Sequence, residues 1–463
     1  MKRLILSTLF ILPALFSNAQ EQVYTLRKCI EIGLENNYSL RITRNEELIS
    51  HNNATLANAG YLPTLDLSAG YDAQLNSNNS EMRGTGEIQK VRNAFDQTAS
   101  AGINLNWTIF EGFKVNTTYK QLKELERMGE TNTRIAIEDF IASIAAEYYN
   151  FLQQRLRLNN YYNAVLLSKE RLRIVEERYN IGNFSRLDYQ QAKVDFNADS
   201  AQFMKQQEVV ITSRIALNEM MAIDQVYTPI ETMEKVIIIN DTLDFVDLWH
   251  CTLGNNATLL LAGQSNTLAE LDYKKVLSRN YPYIKFKAGY DYGFNQYGNN
   301  TTIRRHAWGG NAGISIGFTL WDGNRRREMR NAKIELENTK LTRDRLELSL
   351  KADLGNLWQA YQNNLELLNL EKTNVITARE NHEIAKERYM LGDLSGIEMR
   401  EAQQSLLDAE ERLLSVEYAT KLCEISLMQI SGKISSKNKK IQARHSHTRC
   451  RRRQADSMYG FHT

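Results

Sequence analysis

Proline is nearly absent, with 4 in 463 residues against a usual share of about 5%. That argues against a Pro-rich stalk or linker and favours long uninterrupted elements. Cysteine is sparse as well: Cys29, Cys251, Cys423 and Cys450 lie far apart with no C-x-x-C spacing. This argues against a zinc ribbon, a thioredoxin-type motif or a dense disulfide scaffold, leaving at most one or two scattered disulfides. No Ser/His/Asp or Cys/His constellation stands out. Gly84-Thr85-Gly86 precedes no helix of the kind a phosphate loop needs. No catalytic residue, no cofactor and no enzymatic activity are therefore expected. The formal charge of +2 conceals a basic end, since residues 433–463 hold nine Lys/Arg against Asp456 alone. The remainder of the chain then stands at about −6, which argues against a general nucleic-acid binder.

Long apolar runs are also missing beyond residue 20. The first 19 residues read as an export signal: Met1-Lys2-Arg3 supplies positive charge, Leu4 to Phe16 an apolar core, and Ser17-Asn18-Ala19 a small-x-small cleavage site. That core falls short of the ~20 residues of a spanning helix. No Cys stands at the cleavage point, so an N-terminal lipid anchor is not expected. If the exported chain is integral to a membrane, it must cross as strands, because only helices and closed barrels span hydrocarbon.

What is present is a repeat. Leu34 to Leu40 (LENNYSL) recurs as Leu253 to Leu259 (LGNNATL), and LPTLDLSAGYD from Leu62 recurs as YPYIKFKAGYD from Tyr281. INLNWTIFEG from Ile103 matches ISIGFTLWDG from Ile314, and ERYNIGNFS from Glu177 matches ERYMLGDLS from Glu387. Four blocks in one order define a tandem duplication with a unit of about 210 residues. The first repeat is placed at 20–221, a connector at 222–243 with a short strand at Val236 to Ile239, and the second repeat at 244–432.

Each unit reads as a helix, two strands and two long helices, a mainly α protein with membrane β. Leu65, Leu67, Ala69, Tyr71, Ala73 and Leu75 alternate with polar residues, as do Ala101, Ile103, Leu105, Trp107 and Ile109. Strands are expected at about 64–75, 99–110, 283–294 and 312–321, each pair joined by a long polar loop. Apolar residues at near-heptad spacing predict long helices over 113–181 and 325–391, each roughly 100 Å if unbroken. Both stop at a glycine, Gly182 or Gly392. Capping boxes, Ser185-x-x-Asp188 and Ser395-x-x-Glu398, then start return helices over 185–221 and 395–431.

Four membrane strands cannot close a barrel, for which bacterial examples need at least eight. A dimer would give eight strands with a filled interior, and a trimer twelve with room for a conduit. An exported protein with a shared strand barrel continued by a long helical tube is most simply an exit duct. A structural or adhesive trimeric coiled-coil protein with a barrel anchor is the alternative reading, although an anchor needs no wide lumen.

Residues 22–432 resemble the TolC-type outer-membrane efflux proteins. The resemblance rests on the tandem unit, the Asn-Asn blocks, the Leu-Pro and Tyr-Pro strand starts, the F-E-G and W-D-G strand ends and the two R-Y-x-x-G tips. It implies a trimeric 12-stranded outer-membrane β-barrel continued by a periplasmic α-helical barrel in a Gram-negative bacterium. The implied partners are two further copies of the chain, a periplasmic adaptor (membrane fusion) protein, an inner-membrane transporter and outer-membrane lipid. By the same resemblance, Glu398 and Glu401 form acidic rings at the periplasmic entrance, although Glu398 also completes a capping box. Asp188 would bond Tyr389 and hold that entrance shut. The basic residue expected after the second tip is Leu394 here, so that part of the lock is absent or rebuilt, with Arg186 as a candidate. Arg178, Tyr179, Gly182, Ser185, Arg388, Gly392 and Ser395 are implied as adaptor-docking tips. Trp107, Phe110, Trp321 and Tyr292 suit an aromatic membrane belt, and Trp358 suits packing among helices. His445, His447 and Cys450 in the basic tail are not expected to hold a metal, and the tail is expected to be disordered.

Overall fold

The computed structural model describes residues 22–81, 84, 86, 88–298 and 302–434. The expected export signal and nearly all of the basic tail, with His445, His447 and Cys450, lie outside the described residues.

In chain order the first repeat comprises β1 (Gln22–Tyr24), α1 (Leu26–Asn36), α2 (Tyr38–Asn53), α3 (Leu56–Ala59), β2 (Thr64–Glu81), β3 (Ile88–Glu111), α4 (Lys114–Asn180) and α5 (Arg186–Met220). After β4 (Ile230–Thr232), the second repeat comprises α6 (Phe245–Asn255), α7 (Ala257–Leu277), a 3-10 turn at Ser278–Asn280, β5 (Tyr283–Gln296), β6 (Arg304–Gly317), α8 (Arg325–Leu391) and α9 (Gly396–Ile430). The chain divides into two compact units, one of residues 1–42, 135–256 and 350–463, the other of residues 43–134 and 257–349.

The second unit carries one antiparallel sheet in the order β2-β3-β5-β6. Leu65 pairs with Leu105, which pairs with Ala288. Leu67 pairs with Ile103, which pairs with Tyr290, and Phe286 lies between Trp107 and Ile314. Side chains alternate faces along a strand, so these registers gather the apolar set on one face. Leu65 is 70% exposed and Ile316 72%, so that face has no cover among the described residues. The other face is polar and cross-linked: Asn104 donates to Ser68 at 3.4 Å, Thr98 to Asn295 at 2.9 Å, and Asn311 to Asp291 at 3.3 Å. Among the described residues the outer edges of β2 and β6 pair with no other strand.

The strands outrun the apolar alternation that located them. β2 continues to Glu81 and β3 starts at Ile88, because backbone pairing persists past Leu75, where β2 has no apolar alternation. β6 begins at Arg304 and ends at Gly317 rather than covering 312–321, so Trp321 lies in the segment after it. A register shift between Thr108 and Phe110 sets Phe110, not Ile109, opposite Ile284. The strand expected at Val236 to Ile239 is not formed. Val236 and Ile238 are exposed there, and the segment is held instead by Lys421, whose Nζ donates to the Ile238 carbonyl at 2.8 Å. Three residues that drew no strand expectation, Ile230–Thr232, pair in parallel with β1. β-branched residues favour a strand only where a partner edge exists, and β1 meets Ile230–Thr232.

In the first unit the duplication is visible in the packing. Cys29, Ile144, Phe151 and Leu217 are buried together, and Leu248, Leu354, Tyr361 and Leu427 form the sister cluster at the same positions of the second copy. Trp358 packs against that sister cluster, its ring 5.8 Å from Tyr361. The Asn-Asn blocks have one role in both copies. Asn37 donates to the Met220 carbonyl at 3.1 Å and Asn256 to the Ile430 carbonyl at 2.9 Å, satisfying acceptors that a helix end leaves unpaired.

Candidate functional site: the helical tips

α4 and α8 end alike. Gly182 and Gly392 adopt φ of +84° and +90°, a conformation costly for any residue with a Cβ. Their amides close onto Tyr179 O at 3.0 Å and Tyr389 O at 3.2 Å. The next amides, of Asn183 and Asp393, close onto Arg178 O and Arg388 O at 2.8 and 3.0 Å. A Cβ at either glycine would meet nothing within 4 Å, so the backbone conformation alone demands glycine there. Three residues on, the reciprocal capping boxes form. Ser185 Oγ accepts from Asp188 N at 3.2 Å while Asp188 accepts from Ser185 N at 3.1 Å. Ser395 and Glu398 repeat this at 3.3 and 3.0 Å.

These bonds settle what the acids do within one protomer. The Ser395 amide and hydroxyl, with Arg388 adding a smaller attraction, hold the Glu398 carboxyl below its ordinary value. It is a solvent-exposed carboxylate tied to the start of α9. Glu401 stands one turn further along, also exposed. Asp188 is engaged by Ser185 through both N–H and O–H, the latter at 2.7 Å. Among the described residues it makes no bond to Tyr389, whose hydroxyl is buried there without a hydrogen-bond partner. Burial raises the Tyr389 pKa, and Arg171 and Arg178 nearby pull it down.

Arg178 straps the two hairpins together. Its guanidinium donates to Met390 O at 2.8 Å and to Tyr389 O at 3.5 Å, and lies 5.8 Å from the Tyr389 ring centre and 5.5 Å from that of Phe184. The carbonyls at a helix C-terminus carry partial negative charge, so an arginine from the other hairpin is well placed there. Arg388, its counterpart in the second copy, donates instead to Asp393 O of its own turn, at 3.5 Å. Tyr179 stacks on Tyr189 at 5.3 Å and 7°, and Tyr189 donates to Glu176 at 2.9 Å. Leu394 packs against a buried cluster that includes Val175, Ala192, Tyr389 and Met399, so an apolar contact stands where the resemblance implied a cation. Arg186 is exposed and takes no part in the ion pairs among the described residues.

One pairing escaped sequence reasoning. Arg400 on α9 grips Asp199 on α5 through two bonds of 2.6 Å, joining the second hairpin to the first. Beside it, Arg171 pairs with Asp195 within the first hairpin. Asp199 and Arg171 are buried. The bond to Asp199 raises the Arg400 pKa, whereas burial lowers that of Arg171. No motif marks this pair. The signal lay in the copies, which place Gln190 at the position of Arg400 and Ala409 at that of Asp199. Among the described residues no group of three or more His, Cys, Asp or Glu is gathered to hold a metal.

Comparison with known proteins agrees with the internal repeat. A family model described as outer membrane efflux protein matches residues 30–222 and again 248–433, one match per copy. Outer membrane protein TolC of Vibrio cholerae is 26% identical over 159 residues, 34% of this chain. The chain thus matches about a third (35%) of the length of that curated relative. The Campylobacter jejuni CmeC outer membrane channel superposes with a TM-score of 0.73 at 17% identity, covering 90% of this chain and 89% of its own. The Vibrio cholerae outer membrane protein VceC gives 0.69 at 18% identity, covering 88% and 96%. The open-state Neisseria gonorrhoeae MtrE outer membrane channel gives 0.68 at 15%, covering 88% and 89%. Two family matches in tandem over most of the chain, on a fold shared with these channels, place the protein in the outer membrane efflux protein family.

Proposed function

We infer that this outer membrane efflux protein works as the passive exit duct of a tripartite efflux or type I secretion system. The observation that carries this reading is the four-stranded sheet, apolar on one face, polar on the other and unpartnered along β2 and β6. An open sheet of this kind leaves backbone donors and acceptors unpaired at both edges, which hydrocarbon does not tolerate. Joining β6 of one protomer to β2 of the next in a homotrimer closes twelve strands in the outer membrane. The apolar face then meets lipid and the polar face lines water. Trp107, Phe110 and Tyr292 lie on the lipid side of this barrel and Trp321 just past the end of β6.

The helical hairpins continue the duct into the periplasm. Three copies of Glu398 and Glu401 set six carboxylates around its mouth and favour cations there. The two R-Y-x-x-G tips dock a periplasmic adaptor, which couples the duct to an energised inner-membrane transporter. Asp188, committed to its capping box, holds α5 in place rather than locking Tyr389. Closure within a protomer falls to the Arg178 strap and the Arg400–Asp199 pair. The duct performs no chemistry and needs no cofactor. Single-channel recording in a planar bilayer tests the reading. Discrete cation-preferring steps are expected, whereas a correctly assembled but non-conducting protein would favour the adhesive anchor.

A further inference from the structure

We propose that the start of α8 is a docking surface for acidic phospholipid headgroups in the periplasmic leaflet of the outer membrane. Arg326, Arg327, Arg330 and Lys333 are all exposed, and none joins an ion pair among the described residues. The acid inside this stretch, Glu328, is already taken by Arg279, which also holds Asp322 at 3.0 Å. The cations stand at the wrong end of a helix for their own stability, since its N-terminus carries partial positive charge. Arg325, Arg326 and Arg327 nevertheless occupy the first turn.

The sister copy makes the asymmetry plain. Lys114 to Leu122, the corresponding start of α4, holds two cations where Arg325 to Lys333 holds five, and Lys114 is neutralised by Glu111 at 2.9 Å. The duplicated fold itself therefore does not require the cluster. Its position defines the occupant. The helix is the next element after β6, and the intervening segment leaves Leu320 and Trp321 each 85% exposed and Phe318 49% exposed. An apolar and indole-bearing segment next to unpaired arginines matches the boundary between acyl chains and headgroups. Guanidinium groups there pair with phosphate in a forked geometry that ammonium cannot reproduce. This proposal rests on the reading that the four strands cross the bilayer.

The test reconstitutes the full chain into phosphatidylcholine vesicles containing a fixed fraction of lipid brominated on its acyl chains, either phosphatidylglycerol or phosphatidylcholine. Bromine quenches only tryptophans at membrane depth. Excess quenching by the brominated phosphatidylglycerol is expected, corresponding to roughly fivefold enrichment, about what one engaged cation provides. It should vanish in Arg326→Gln/Arg327→Gln/Arg330→Gln/Lys333→Gln and in 0.5 M salt, which shortens screening below about 5 Å. Equal quenching by the two lipids in the unaltered protein overturns the proposal, whether or not the variant assembles. So does an excess that survives the four substitutions, or a variant whose lipid preference is intact but whose ion selectivity changes, which would put the arginines in the lumen. Absence of quenching by either lipid would instead refute the membrane reading of the strands.

Discussion

At the scale of single residues, the tips separate acids that only face water from acids that hold structure. Glu398 does both, because its carboxylate accepts from the Ser395 amide yet stays exposed. Replacing Glu398 and Glu401 by Gln should reduce cation preference and divalent-ion block while leaving assembly intact, since an amide oxygen still serves a capping box. The pH dependence follows from the lowered Glu398 pKa. Its charge and the capping stability linked to it are present at neutral pH. The charge survives below the ordinary Glu value of about 4.3 and is lost as pH falls through the lower folded-state value, whereas the linked stability is full only above the ordinary value and drains away between the two. Selectivity measured against pH should therefore hold below that ordinary value, and unchanged selectivity in the double variant would move the constriction elsewhere. Arg400 and Asp199 allow a cleaner dissection using each position's own sister residue. Arg400→Gln alone strands a buried carboxylate and should cost about 3 kcal/mol of local stability. Adding Asp199→Ala should recover much of that. Hydrogen exchange across residues 186–205 and 396–405, together with basal conductance, reads both effects.

At the scale of elements, the two copies report on each other. Gly432 adopts φ +65°, and the first copy places Ala222 at φ +52° in the same role after the return helix. Ala222→Gly should stabilise the protein by about 1 kcal/mol, the usual penalty of that conformation for a residue with a Cβ. Gly432→Ala should destabilise it, because its Cβ would also come within 2.8 Å of Asn255 O. Thermal unfolding of the two variants should shift in opposite directions. For the sheet, Ile103→Arg should impair membrane assembly most, at about 2 to 4 kcal/mol if near mid-bilayer, with smaller losses for Leu65→Arg, Phe286→Arg and Ile316→Arg, which stand closer to strand ends. Ser68→Arg and Asn104→Arg, on the polar face, should be tolerated. Equal damage from both sets in outer-membrane fractionation would contradict the assigned faces.

Much of this was legible because the relevant physics is local. Gly182 and Gly392 with the capping serines announce helix ends, and period-two alternation at Leu65 to Leu75 announces a strand half in lipid. The strand ends were not legible, since β2 beyond Leu75 is polar on both faces and carries no alternation. Neither was Ile230–Thr232, whose strand character depends on a partner some 200 residues away. At the tips, the Arg400–Asp199 pair joins separate hairpins and follows no spacing rule. Among the described residues Asp188 bonds Ser185, while its charge lies near Tyr389 and helps raise that pKa.

At the scale of the whole molecule, one chain supplies a third of a closed barrel. Among the described residues nothing pairs the edges of β2 and β6 or covers the apolar face, and exposed edges of this kind seek partners. The mass of the particle extracted in mild detergent, measured by native mass spectrometry or light scattering, tests this most directly. Three chains per particle, resistant to dilution, is the expected result. A monodisperse single chain that keeps its full strand content by circular dichroism would contradict it.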